Sequence, residues 1–188
     1  MIKISQLSPL GQEMVSWAVT IGSVILCTML LLTRMPGTAL LGIGPHWLLI
    51  WVVAWSVKRT IFQGAIAGLA LGLIQDGMTS GLIENTVSYL PSHALSLMVV
   101  GMLTACIKKQ KYIQEDFISI ALIVFGMAIL AETITAFQHI LVGSRELAEV
   151  WISHQRIALS SAIISSLWAP IIYYPLNLWW ERIKAFEQ

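Results

Sequence analysis

Residues 45–83 carry the pattern that decides the fold, and they read PHWLLIWVVAWSVKRTIFQGAIAGLALGLIQDGMTSGLI. Two apolar stretches lie on either side of the basic pair Lys58 and Arg59. A bilayer core is about 30 Å thick and needs about 20 mostly apolar residues per helical crossing. The stretch from Ile61 reaches Asp76 without another charged residue. This pattern predicts two membrane-crossing segments joined by a short basic turn.

The composition of the whole chain extends this prediction. Of 188 residues, 57% are hydrophobic and 11% are charged, against about 25% charged in an ordinary soluble domain. Mean hydropathy is +0.78. We therefore expect an all-α, polytopic membrane protein with six transmembrane helices in a single membrane-embedded domain spanning residues 1–188. The apolar stretches that predict these helices are residues 14–33, 38–57, 61–83, 89–107, 117–142 and 157–180.

The second apolar stretch differs from the others because it contains Gly42, Gly44 and Pro45. Proline suits the first position of a helix, so we expect the continuous helix to begin near Pro45. From there to Val57 is 13 residues, or about 20 Å at about 1.5 Å per residue. Residues 38–44 are then expected to complete the crossing as irregular backbone that is buried against protein.

The distribution of basic residues predicts the orientation, because cytoplasmic loops of membrane proteins carry the excess of Lys and Arg. With six crossings, eight of the 11 basic residues fall on the side of the N-terminus and three on the other side. Both termini are therefore predicted to be cytoplasmic, and the first apolar stretch is read as a retained crossing. The eight are Lys3, Lys58, Arg59, Lys108, Lys109, Lys111, Arg182 and Lys184, and the three are Arg34, Arg145 and Arg156.

A segment outside the predicted crossings, residues 144–156, has one apolar helical face. Leu147, Val150, Trp151 and His154 stand at i, i+3, i+4 and i+7. This spacing predicts a short amphipathic helix in the outer membrane interface. Two interpretations remain open for its Leu147 and Trp151 face: an anchor in the headgroups, or a surface that docks a partner.

Small residues recur on the third predicted helix, where Gly64, Gly68 and Gly72 stand four residues apart. Such a ridge lets another helix approach closely in lipid, and that neighbour belongs either to this chain or to a partner. Asp76 lies near the end of the same helix, where the macrodipole disfavours a negative charge. It therefore needs a compensating group. Candidates are backbone N–H groups of residues 77–81, the start of the fourth helix, or Arg34.

Aromatic residues repeat on the second predicted helix, where Trp47, Trp51 and Trp55 share one side. They form either a lipid-facing or core-packing wall, or a wall that docks another protein, since large aromatic side chains dominate interface energetics.

Polar residues inside the fifth predicted helix form a further candidate site. Glu132 lies at apolar depth, Thr135 and His139 follow on the same face, and Gln138 stands beside them. Exposing such a stripe to lipid is costly, so it is expected to face the bundle interior or a partner. The stripe is either an internal hydrogen-bond network or a functional polar site.

Catalytic and cofactor signatures do not emerge from the sequence. It has no Gly-x-Ser-x-Gly elbow, phosphate-binding loop or metal-ligand spacing among its four histidines. Cys27 and Cys106 both lie in apolar stretches, where cysteine usually packs as a small hydrophobe. The net charge of +1, without a basic tail, gives no sign of a nucleic-acid partner. We therefore expect no enzymatic activity, no metal and no cofactor.

One stretch resembles a known family. Residues 45–50 (PHWLLI), the pair Lys58 and Arg59, Gly64, Gly68 and residues 72–76 (GLIQD) resemble the rod shape-determining protein MreD. The length and the predicted topology agree with that family.

The resemblance implies a non-enzymatic scaffold of the bacterial cell-elongation machinery, in the cytoplasmic membrane, that helps regulate peptidoglycan synthesis and cell shape. Its implied partner is MreC, and through MreC the filament protein MreB, the polymerase RodA and the transpeptidase of RodA. The family is also similar in fold to the substrate-binding subunits of energy-coupling-factor vitamin transporters. That similarity gives the alternative function, in which Glu132, Thr135 and His139 line a ligand pocket.

Overall fold

The computed structural model describes residues 9–33, 42–80, 92–107, 117–141 and 147–184, and these residues form six helices. No strand runs through the described ranges, so the all-α prediction is confirmed for them. The helices are α1 Pro9–Leu32, α2 Trp47–Ser56, α3 Ile61–Ser80, α4 Ser92–Ile107, α5 Phe117–Leu141 and α6 Leu147–Lys184.

Helix length and composition identify a membrane-embedded protein. Within the described part of the chain, four helices are long and apolar enough to cross a bilayer. Two more, α2 and α4, are apolar but shorter, with 10 and 16 residues. The four long segments are Glu13–Leu32, Ile61–Thr79, Phe117–Leu141 and Gln155–Arg182.

Helix α2 occupies the centre of the bundle and contacts each of the other five helices. Its Leu48, Leu49, Ile50, Val52 and Val53 have no exposed surface. A helix that is apolar all round can be buried on every side, and α2 has no charged residue over its length. The helix begins at Trp47. The sequence predicted a start near Pro45, two residues earlier.

Helices α3 and α4 pack together along the glycine ridge. A Cβ atom placed on Gly64 would clash with the carbonyl oxygen of Gly101, and one placed on Gly68 would clash with the carbonyl oxygen of Leu97. At Gly72 the neighbours are backbone atoms of His93 and Ala94. The neighbour of the ridge is therefore a helix of this chain and not a helix of a partner.

Helix α6 corrects the predicted boundary between an interfacial helix and the last crossing. Residues 144–156 and 157–180 were expected to be separate, but one helix of 38 residues runs over Leu147–Lys184. No glycine or proline lies between Leu147 and Ala169, so nothing in that stretch breaks the helical hydrogen bonds. Pro170 and Pro175 lie farther along the helix. The side chains of Leu147 and Trp151 are outside the described residues.

The outer surface of the bundle is apolar. In the most apolar part of α1, only 6% of the residues are buried within the protein. Hydrocarbon is the environment in which such side chains are stable, because soluble proteins rarely expose apolar patches of this extent to water. The exposed apolar residues of α1 include Leu10, Met14, Trp17, Ile21, Ile25, Leu26, Met29 and Leu32.

Candidate functional site

Asp76 joins the end of α3 to the start of α4. Its carboxylate accepts the backbone N–H groups of His93 (Oδ1, 3.0 Å) and Ala94 (Oδ2, 3.0 Å). Its Oδ1 also lies 2.8 Å from Nδ1 of the His93 ring. The first N–H groups of a helix have no partner within the helix and attract negative charge. Of the candidate partners for Asp76, the structure thus selects the start of the fourth helix; Arg34 lies outside the described residues.

His46 directly precedes α2 and makes two hydrogen bonds, one through its backbone and one through its ring. Its backbone N–H donates to Ser165 Oγ in α6 at 2.9 Å. Its ring Nδ1 accepts the backbone N–H of Leu49 at 3.3 Å, which caps α2. Since Nδ1 accepts, the ring proton of the neutral imidazole is on Nε2.

Gln75 lies beside His46, and its amide orientation follows from that proton. The amide nitrogen of Gln75 is placed 3.4 Å from His46 Nε2, while the buried Gln75 Oε1 has no partner. In that orientation the Gln75 –NH₂ group and the His46 Nε2–H group would face each other as two donors. The oxygen and nitrogen of an amide are assigned from the hydrogen-bond network, so we exchange them in Gln75. His46 Nε2–H then donates to the Gln75 oxygen, and the Gln75 –NH₂ group is the one without a partner.

A cavity of about 320 Å³ opens beside these residues. It lies where α1 and α3 approach their C-terminal ends and where α2 and α4 begin, with Glu132 of α5 and Ser161 of α6 completing the wall. Its lining residues are Leu30, Leu31, Thr33, Gly42, Ile43, Gly44, Pro45, His46, Trp47, Gln75, His93, Glu132 and Ser161.

Near the cavity there are two carboxyl groups but only one imidazole that could balance them. Glu132 and His93 line the cavity, and Asp76 binds His93 from outside the described lining. Among the described residues, no hydrogen bond reaches the Glu132 carboxylate, and no Lys or Arg lines the cavity. With both carboxylates ionised, His93 balances at most one of the two negative charges. No group of three or more potential metal ligands was found in the described ranges.

The predicted stripe on α5 does not form one site. Glu132 lines the cavity, but Thr135 and His139 do not. The Thr135 hydroxyl donates to the backbone oxygen of Ala131 at 3.0 Å, and His139 is exposed. The residues share a helix face, but His139 lies two turns beyond Glu132, about 10 Å along the axis. Gln138 is buried elsewhere, with Oε1 unpaired.

The tryptophans of α2 pack within the chain. Trp47 and Trp51 are only 5% and 3% exposed, so neither offers a surface to a partner in this structure. Trp47 meets Trp168 of α6 edge-on at 5.3 Å, and Trp51 stacks on Trp55 at 5.8 Å. The Trp51 indole N–H donates to Ser23 Oγ of α1 at 2.8 Å. For Trp47 and Trp51, core packing is therefore the correct one of the two interpretations.

Sequence reasoning missed three residues of the site, namely His46, His93 and Gln75. No regular spacing links them, because they come from three helices. A weaker signal was present: His46 begins one predicted helix, His93 begins another, and Gln75 precedes Asp76 at the end of a third, all at the same predicted side of the membrane.

Comparisons of this chain with protein-family models, with curated proteins and with solved structures found no match.

Proposed function

We propose that this chain is a non-enzymatic membrane scaffold of the bacterial cell-elongation machinery, of the MreD type, that docks MreC in the cytoplasmic membrane. Through MreC it would connect MreB to the peptidoglycan polymerase RodA and its transpeptidase. The observation that carries the proposal is the position of residues 45–76, the stretch that resembles MreD. That stretch forms the central helix α2 and most of α3, including the ridge and Asp76.

The proposal includes six crossings with both termini on the cytoplasmic side. Contacts between helix ends support it: His46, at the start of α2, lies beside Gln75 near the end of α3. At the other end of α2, Lys58 Nζ lies 3.2 Å from Glu181 Oε1 near the end of α6. Helices α2 and α3 thus run in opposite directions and α2 and α6 in the same direction, as six alternating crossings require. At about 15 Å, α2 is shorter than the bilayer core, which is tolerated because it is enclosed by protein.

A tagging experiment tests this topology. Reporters that are active only in the cytoplasm are fused to the N-terminus and, separately, to the C-terminus. Activity of both fusions is expected. Activity of one fusion and silence of the other would contradict the six-crossing arrangement.

The outer face of α3 is the surface proposed for MreC. Its inner faces are occupied by α2 and α4, and α2 itself is buried, so α2 cannot contact a partner directly. On the outer face of α3, Phe62, Ile66, Leu69 and Leu73 are exposed by 74, 51, 39 and 52%. These residues, at i, i+4, i+7 and i+11, form an apolar stripe on which a single membrane helix can lie.

Co-purification with MreC in mild detergent tests the scaffold and the stripe separately. The unaltered chain is expected to retain MreC, and Ile66→Ala with Leu73→Ala is expected to lose most of it. The matched control is Ile118→Ala with Leu122→Ala on α5, whose side chains are 81 and 70% exposed. Failure of the unaltered chain to retain MreC would reject the scaffold. Retention by the stripe variant equal to the control would reject only the surface.

Gly68→Leu is a second, indirect test. Since the Gly68 Cβ position meets backbone atoms of Leu97 and Met98, a leucine there must separate α3 from α4. MreC retention is expected to fall together with a lower unfolding temperature of the variant. Full retention of MreC by a variant with that lowered temperature would mean that the α3–α4 geometry is irrelevant to docking.

The cavity favours a second candidate function, a substrate-binding subunit of an energy-coupling-factor vitamin transporter. At about 320 Å³ the cavity is at the small end of ligand sites, which span about 300–1,000 Å³. This candidate predicts that a vitamin remains bound through purification. Mass spectrometry of the denatured protein decides the matter, and a sample without vitamin after purification from vitamin-supplemented cells rejects it.

A further inference from the structure

We infer that the cavity between His46, Gln75, His93 and Glu132 binds a small protonated amine that carries a neighbouring oxygen atom, as in an amino alcohol. The ammonium group would pair with the Glu132 carboxylate, and the oxygen would accept a hydrogen bond from the Gln75 amide. This site is separate from the proposed MreC surface on the outer face of α3, and the inference does not depend on docking.

Asp76 and Glu132 differ in how many hydrogen-bond donors reach them. Asp76 has three donors within 3.0 Å, of which two are backbone N–H groups of α4. Glu132 has none among the described residues. A carboxyl group that is removed from water is either neutral, because it keeps its proton, or ionised beside a cation or hydrogen-bond donors. Among the described lining residues the nearest group that can carry positive charge is His93, which is already hydrogen-bonded to Asp76. An ammonium ligand beside Glu132 would favour the ionised carboxylate.

His46 cannot supply that charge. Its Nδ1 accepts the N–H of Leu49, and a protonated ring would turn that acceptor into a donor and break the cap on α2. The cap therefore keeps His46 neutral for as long as the start of α2 is intact.

The side-chain amide of Gln75 is only partly paired. This side chain is only 7% exposed, lines the cavity, and keeps one end of its amide without a partner. Buried amide groups are nearly always hydrogen-bonded, so an unpaired one that lines a cavity indicates a missing polar partner. With the oxygen engaged by His46, the available end is –NH₂, and it recognises an acceptor atom.

The size and the apolar lining of the cavity suit a small ligand. About 320 Å³ corresponds to roughly ten water molecules at about 30 Å³ each, so a small molecule of up to roughly ten non-hydrogen atoms fits. Leu30, Leu31, Ile43 and Trp47 are apolar residues of the cavity lining. Apolar walls with few polar groups are typical of ligand sites, where the polar groups fix the orientation of the ligand.

Calorimetric titration of the purified full chain in detergent tests the inference with three probes of equal size. Ethanolamine has both the ammonium and the oxygen, propylamine keeps only the ammonium, and ethylene glycol keeps oxygen without charge. Millimolar concentrations are needed because molecules this small bind weakly. Ethanolamine is expected to bind best and propylamine more weakly. Ethylene glycol is expected to bind at least about tenfold more weakly than ethanolamine, because it cannot form the charged pair with Glu132.

Two variants assign the contacts. Glu132→Gln preserves the shape and is expected to raise the Kd of ethanolamine by at least about tenfold, while Glu13→Gln, at an exposed position of α1, leaves it unchanged. Gln75→Met is expected to weaken ethanolamine but not propylamine, because only ethanolamine offers the oxygen. Unfolding temperatures confirm that each variant is folded. Equal ethanolamine affinity in Glu132→Gln and the unaltered chain would overturn the inference, and so would equal binding of ethylene glycol.

The same chemistry could come from a free amine or from the headgroup of phosphatidylethanolamine, and a lipid arm distinguishes them. The chain is placed in nanodiscs of phosphatidylglycerol with and without phosphatidylethanolamine. A rise in unfolding temperature that Glu132→Gln abolishes supports the amine site and assigns it to the lipid. Binding of free ethanolamine without this rise supports a soluble amine. No effect of either source rejects the site.

Discussion

Replacing Gly68 by alanine tests the central packing contact of the bundle with a single methyl group. The added Cβ would lie 2.6 Å from the carbonyl carbon and closer still to the carbonyl oxygen of Leu97, and 2.9 Å from Cα of Met98. Carbon atoms pack at about 3.5–4.0 Å. Since these neighbours are backbone atoms and cannot rotate away, α3 and α4 must separate by about 1 Å at this point.

That separation sets the expected loss of stability. A gap of about 0.5–1 Å removes a quarter to a half of the dispersion energy of each atom pair across the interface. Overpacked positions usually cost about 1–3 kcal/mol, and backbone neighbours favour the upper half of that range. The two bonds from the α4 amides to Asp76, both 3.0 Å, lie one to two helical turns away and would lengthen as well.

The matched control is Gly126→Ala on α5, where nothing lies within 4 Å of the added Cβ. Because alanine favours the helix over glycine, this change is expected to leave the free energy of unfolding equal or to raise it by up to about 1 kcal/mol. Both variants are unfolded by denaturant in the same detergent. A free energy of unfolding for Gly68→Ala equal to that of Gly126→Ala would show that the ridge is not a close contact, and the α3–α4 packing described above would be wrong.

Three further predictions address contacts between other elements. Asp76→Ala is expected to lower the free energy of unfolding by about 1–2 kcal/mol, the range of a lost helix cap, and Asp76→Asn by less because it retains an acceptor; denaturant titration measures both. Ser23→Ala leaves the Trp51 indole N–H buried without its acceptor, and a loss of about 1–3 kcal/mol is expected in the same titration; no loss would place that indole elsewhere. Glu181→Gln is expected to change the free energy of unfolding by less than about 1 kcal/mol, because the Glu181 side chain that pairs with Lys58 is 56% exposed. A larger change that added salt does not reduce would contradict this prediction.

The positions of the long helices could be predicted from the sequence. The apolar stretch 117–142 corresponds to Phe117–Leu141, and 61–83 corresponds to Ile61–Ser80 as far as the described residues extend. Hydrocarbon forces every backbone polar group into hydrogen bonds within the segment, so an uninterrupted apolar stretch of sufficient length has one stable conformation. The contact made by the glycine ridge followed from the same kind of local argument, since absent side chains permit close approach.

The boundary at α6 could not be predicted from local patterns. A change from amphipathic to apolar composition near Ile157 indicated two helices, yet the backbone hydrogen bonds continue through it. Composition reports the environment of the side chains along a helix, whereas the end of a helix depends on caps and breaking residues.

By itself, the sequence determined that this is a helical chain for a membrane and that Asp76 needs a donor. Except at the start of α6, it also determined where the helices begin and end to within a few residues. Only the tertiary structure decided that α2 lies at the centre, that Trp47 and Trp51 face inward, and that a cavity has Glu132 in its wall. A helix that is apolar on all sides carries no periodicity that shows which neighbours it meets. The contacts that decide it join distant positions, such as His46 and Ser165, 119 residues apart, and they form only when the helices pack.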